Sequence, residues 1–309
     1  MKVGLIGAGA VGSASLLSIV MRGSACEIVV VDRNHQRAKG VVADLQYGAT
    51  LSPAVVLRPG DYSDLADAVL VIITAGINEK AGGATDRSDP RGRLKLLEAN
   101  AAIYRDIVPR VVAVAPQALL LVVTDPPDPL ADLTRRLAGH SHVLSSGTFL
   151  DTLRFRFHLA QRMQVSPRDV AAQVVGEHGT SQVFLWSSAR VAGTPALAAI
   201  AGEAPQEFRQ HVEQEVRYAN ITIIEGTGAS QLGIGMATAR IVEAILRDER
   251  AVIPIGSFNP SYGVTLSLPS VLGHQGVTRI LEPEMSEDEK NALRHSAEVL
   301  KNALAQLND

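Results

Sequence analysis

The stretch Val3-Gly4-Leu5-Ile6-Gly7-Ala8-Gly9-Ala10-Val11-Gly12 runs from a β-rich segment through a glycine turn into a helix of small and apolar residues. Each glycine suits a different demand of a nucleotide-binding turn: Gly7 the tight reversal, Gly9 the approach of a pyrophosphate to backbone, Gly12 the close packing of helix on strand. Taken alone the pattern is weak, because glycine turns often serve only the backbone. Asp32 strengthens it. It stands 20 residues after Gly12 and closes the run EIVVVD, where a carboxylate can accept hydrogen bonds from a ribose diol. Gly7, Gly9, Ala10, Val11, Gly12 and Asp32 are therefore expected to hold a dinucleotide. The acidic Asp32 favours NAD over NADP, although Arg33 and Arg37 nearby weaken that preference.

Further β-rich runs at residues 27–31, 55–57, 69–73, 119–123 and 143–144 alternate with helical patterns. Strands spaced by helices predict an α/β fold, a doubly wound parallel Rossmann sheet with helices on both faces. Such a sheet binds its ligand at the carboxyl edge, which places Thr74, Ala75 and Gly76 beside the cofactor. The chain has 309 residues, 46% of them hydrophobic, which predicts two lobes. We expect a dinucleotide domain over 1–147 and an α+β substrate domain over 148–309.

Net charge is −3, from 29 basic and 32 acidic residues, and no basic run suggests a nucleic-acid partner. Cys26 is the only cysteine, so no internal disulfide and no thiolate metal cage is possible; no metal is expected. Gly4, Gly7, Gly9 and Gly12 interrupt the apolar start, and no later run reaches the roughly 18 residues needed to span a bilayer. No membrane association and a cytoplasmic location are expected.

Moving hydride to a keto acid builds alkoxide charge, which calls for a proton donor, a cation for the carboxylate and a partner that orients the donor. His178 sits in Val175-Gly176-Glu177-His178-Gly179-Thr180-Ser181, between glycines and after a β-rich run, which suits an imidazole on a tight turn. Any one of the eight histidines taken alone is more often structural. Upstream, Asp151 and Arg154 are three residues apart and share a helix face. Asp151 suits the imidazole's partner and Arg154 a bidentate carboxylate clamp; the alternative is an ordinary surface ion pair.

At this point the motifs GAGAVGS, SSGTFLDTLRFR, VVGEHGTSQV and AVIPIGSFNPSYGVTLSLPSVLGHQGVTRILEP together resemble the L-lactate/malate dehydrogenase family, nearly end to end and closer to its lactate members. The resemblance implies an NAD-dependent L-2-hydroxy-acid dehydrogenase converting pyruvate and NADH to L-lactate and NAD. It implies a small 2-keto or 2-hydroxy acid as ligand and a homodimer or homotetramer. His178 would be the proton donor and acceptor, Asp151 its partner, Arg154 the carboxylate clamp, and Asn100 and Thr124 cofactor neighbours. The family's mobile arginine, which polarises the reacting carbonyl, best matches Arg93 in Arg93-Leu94-Lys95-Leu96-Leu97.

Several positions depart from that pattern. The loop over residues 78–92 is longer than usual, so Arg87 or Arg91 competes with Arg93, and Gly82 and Gly83 are candidate hinges. Glu79 aligns where the family commonly has glutamine for lactate or arginine for malate, and a carboxylate there repels the second carboxylate of oxaloacetate. Ser230 stands where lactate enzymes tend to have threonine and leans toward a monocarboxylate. Asp125 replaces an asparagine whose amide donates to substrate; an ionised aspartate only accepts. A protonated Asp125, a different substrate and impaired catalysis all remain open. The competing readings are malate dehydrogenase, a non-catalytic NAD-binding sensor, and an NAD-dependent glycosidase, for which Cys26 lies too early to serve. Near the end, Ser286-Glu287-Asp288-Glu289 predicts a capping box on a helix whose apolar face includes Leu293, Leu300 and Leu304.

Overall fold

Continuous burial, rather than alternation, marks the strands of the first half, as a sheet covered on both faces requires. In the computed structural model, which describes residues 1–89, 91–198 and 205–307, these are β1 (Lys2–Ile6), β2 (Glu27–Val31), β3 (Val56–Pro59), β4 (Leu70–Ile73), β5 (Leu119–Val122) and β6 (Val143–Ser145). All neighbouring pairs are parallel, in the order β3-β2-β1-β4-β5-β6. The order reverses between β1 and β4, the point at which an open α/β sheet leaves a crevice for a ligand. Pro90, inside the long loop, lies outside the described residues.

Helices cover both faces: α1 (Ala10–Arg22), α2 (His35–Ala49), α3 (Leu97–Val114), α4 (Pro127–Ala138) and α5 (Phe149–Met163). One apolar core joins α1, α2 and the helix Leu232–Leu246 to the sheet, and another joins α3 and α4 to its other face. Strands from the second half extend this same sheet. Ala251–Asn259 pairs antiparallel with β6 at Gly256 and Ser145, followed by Val264–Gly273 and Gly276–Ile280. Small two- and three-stranded sheets and further helices complete an α+β second half.

Two features fix the second half beneath the site. Phe155 of α5 is fully buried and meets Trp186 and Phe184 edge-on, with ring centroids 4.8 and 5.3 Å apart. Truncating it to Ala costs about 3–5 kcal/mol. The C-terminal helix Glu287–Ala305 begins with the expected reciprocal box between Ser286 and Glu289, and buries Leu293, Leu300 and Leu304. Among the described residues, no helix is long and apolar enough to cross a membrane.

Candidate active site

The turn after β1 is shaped by backbone that excludes side chains on one side and leaves space on the other. Gly7 has φ +103°, and a Cβ there would meet Ala75 N at 2.6 Å; a Cβ on Gly12 would fall 1.9 Å from Gly7 O. Gly9, by contrast, faces nothing within 4 Å. It is also the N-cap of α1 and brings no side-chain cap, so the first-turn amides and the positive helix end are left for an anion. Asp32 accepts from Ala8 N at 2.7 Å and Asn34 N at 2.8 Å, which ties the turn to the end of β2 and leaves lone pairs on both oxygens. This open glycine cradle with a carboxylate at its far edge fits a dinucleotide.

A cavity of about 540 Å³ starts at that turn, where Gly9, Ala10, Val11, Thr74, Gly76 and Thr124 face it. Gly7, Gly12 and Ala75 do not line it. Asn100 stands outside this lining. It is fully buried, accepts from Ile77 N at 2.8 Å and donates to Asp125 O at 2.7 Å, so its amide is consumed in joining two loops and does not face the cavity.

The same cavity ends among His178, Arg154, Arg93, Asp125, Glu79 and Ser230. His178 follows the short strand Val174–Val175, and its backbone N–H donates to Asp128 Oδ2 at 2.7 Å. Its Nδ1 is joined to Asp151 on the first turn of α5, and Arg154, one helical turn on, donates to Asp151 Oδ1 at 3.2 Å. Burial and the Arg93 charge oppose a proton on His178, but the Asp151 carboxylate and Asp125 outweigh them, so its pKa rises above the usual 6.5. Burial likewise opposes ionisation of Asp151, yet His178, Arg154 and Arg93 hold it at about 2. The imidazole is thus built to carry a proton, with Nε2 as the exchangeable atom.

Arg93 lies in the turn Gly92–Leu96 ahead of α3 and is almost fully buried. Its Nε is 3.1 Å from Asp125 Oδ2, yet has no aligned hydrogen-bond partner, so this is a charge contact that leaves a donor for a ligand oxygen. Asp125 Oδ1 lies 3.7 Å from His178 Nε2. Glu79 shares this lining; burial and the neighbouring negative charge of Asp125 push its carboxyl above the ordinary range, against the opposing Arg93 charge.

Arg87 is engaged elsewhere. The long loop folds back so that Arg87 grips Glu225 of the helix Ala219–Thr227 at 2.6 and 2.9 Å and Thr222 at 3.2 Å, away from the cavity. Arg91 pairs with Asp89 at 3.1 Å. Of the three loop arginines, Arg93 alone faces the cavity. Asp128 was not singled out from the sequence. Fully buried, it accepts from Ser145 Oγ and His178 N, and burial pushes it up to about 7. A proline-flanked acid on the first turn of a helix, three residues after Asp125, was its only signal.

Comparison with known proteins places these features in context. Residues 1–144 match the model of the lactate/malate dehydrogenase NAD binding domain, and residues 148–309 that of the lactate/malate dehydrogenase alpha/beta C-terminal domain. The chain is 44% identical to an L-lactate dehydrogenase of Deinococcus radiodurans and 42% identical to one of Thermus aquaticus, each over 99% of both chains. Among solved structures, a minor L-lactate dehydrogenase from Enterococcus mundtii superimposes with a TM-score of 0.90 at 34% identity, covering 99% of this chain and 98% of that one. A lactate dehydrogenase from a deep-sea metagenome library gives 0.90 at 33%, covering 100% and 99%.

Proposed function

The chain belongs to the lactate/malate dehydrogenase family, and on that premise we propose that it interconverts pyruvate-type 2-oxo acids and L-2-hydroxy acids, the lactate dehydrogenase reaction. It is an oxidoreductase and its cofactor is NAD. The observation that carries this reading is the His178 imidazole joined to Asp151 at the end of a cavity that begins at the glycine turn.

Gly9 and the start of α1, with Asp32 at the ribose, would hold NADH, which would supply the hydride. Arg154 pairs with the substrate carboxylate through its planar fork. Arg93 draws electron density toward the carbonyl oxygen. As the C=O π bond breaks and the carbon gains hydrogen, His178 Nε2 gives its proton to that oxygen, and Asp151 steadies the imidazolium until then. Oxidation runs the same path backward, with neutral His178 as the base.

Steady-state NADH oxidation with pyruvate and oxaloacetate tests the reading. Turnover of pyruvate to L-lactate supports it. Bound NADH without turnover of any 2-oxo acid favours a cofactor-binding sensor. Glu79, on the substrate wall, sets the expected order of pyruvate over oxaloacetate. A homo-oligomer completes the reading, supported by the exposed Leu17 and Met21 of α1 and Leu232 and Met236 of the helix packed on it.

A further inference from the structure

At the substrate end of the cavity the cations are already matched by anions. Arg93 faces Asp125 at 3.1 Å, and Arg154 donates at 3.2 Å to Asp151, which also holds His178. Glu79 is the other acid in this lining. Among the described residues no ion pair reaches it, and the charges of Asp125 and Arg93 act on it in opposite senses. Burying a carboxyl against a carboxylate is costly without a proton or a cation. The methyl group of pyruvate supplies neither.

The positions of the reacting groups leave one direction for a substrate side chain. With the carboxylate on Arg154 and the keto oxygen between His178 Nε2 and Arg93, the remaining lining at this end includes Glu79, Ala229 and Ser230. The last two are small and leave room. Resting on the assignment as a 2-hydroxy-acid dehydrogenase, we propose that its preferred 2-oxo acid bears an ammonium or guanidinium on the side chain, seated between Glu79 and Asp125. The bound cation favours the ionised form of Glu79 and replaces Arg93 as the partner of Asp125. Arg93 is thereby freed to polarise the carbonyl, so the substrate's own charge completes the catalytic arrangement. The hydride and proton steps are unchanged.

The test compares 5-guanidino-2-oxopentanoate with 5-ureido-2-oxopentanoate, which match in shape and differ by one charge, alongside pyruvate. The intact enzyme is expected to show kcat/KM at least about tenfold higher for the guanidino acid than for the ureido acid, the scale of one partly desolvated ion pair. Glu79→Gln is expected to bring that ratio close to one. Circular dichroism and NADH titration check that the variant is folded and binds cofactor; a second variant, Asp125→Asn, reads the other half of the pair. Equal or lower activity on the guanidino acid, with pyruvate and the ureido acid reduced, overturns this inference and leaves the family reaction standing. Failure to reduce any of the three, with NADH bound, overturns the reaction assignment itself and the inference with it.

Discussion

The Asp125 carboxylate lies 3.1 Å from Arg93 Nε and 3.7 Å from His178 Nε2, a negative charge between the two groups that must meet the substrate oxygen. Alkoxide charge developing there is opposed, and an ionised aspartate has no proton to donate. Asp125→Asn restores a donor and frees Arg93. We expect kcat/KM for pyruvate to rise about tenfold, equivalent to ~1.4 kcal/mol of transition-state stabilisation. A drop in steady-state turnover of pyruvate would count against this account of Asp125.

The pH dependence follows from the proton on His178. Its pKa is raised above 6.5, so the imidazolium needed for reduction persists to higher pH than in a free histidine and is lost as pH climbs through the raised value. Reduction therefore declines over that interval, and oxidation, which needs the neutral ring, increases over it. Asp151→Asn removes the larger of the two charges that raise the pKa and leaves Asp125 alone against burial and Arg93. The descending limb of the kcat/KM profile for reduction should move to lower pH in that variant; an unmoved limb would assign it to another group.

Two neighbouring glycines separate a cofactor contact from a folding requirement. A methyl on Gly9 meets nothing in the protein, so Gly9→Ala should leave Tm nearly unchanged while weakening NADH binding about tenfold or more, as measured by fluorescence titration. A methyl on Gly12 would press against Gly7 O, so Gly12→Ala should lower Tm as well. Equal NADH affinity in Gly9→Ala and the parent would move the cofactor away from this turn.

The two best loop arginines should differ sharply. Arg93→Ala removes the buried cation in the cavity and should cost about 100-fold or more in kcat. Arg87→Ala breaks an exposed, solvent-screened pair with Glu225 and should change kcat and KM only severalfold. Glu225→Ala should reproduce the Arg87 effect and not the Arg93 effect.

What was legible from sequence was whatever local pattern or short spacing encodes. The glycine turn, the parallel strands and the Asp151–Arg154 helix pair are of that kind, and each element lies within two or three residues of its expected place. The grip of Arg87 on Glu225 spans 138 residues and depends on how a long loop settles over a distant helix, which no local spacing records. The bonds of Asn100 are hidden for a similar reason: its neighbours fit a cofactor pattern, while its amide answers buried backbone at Ile77 and Asp125. Asp128 escaped notice because its partner, the backbone of His178, is brought to it only by the fold.

The most direct test of the central claim is kcat for pyruvate reduction in His178→Asn, measured beside NADH affinity in the same preparation. We predict loss of at least about 100-fold in kcat with NADH affinity within severalfold of the parent, since general acid catalysis is removed and the glycine turn is untouched. Near-normal turnover with intact NADH binding would contradict it and place the proton donor elsewhere.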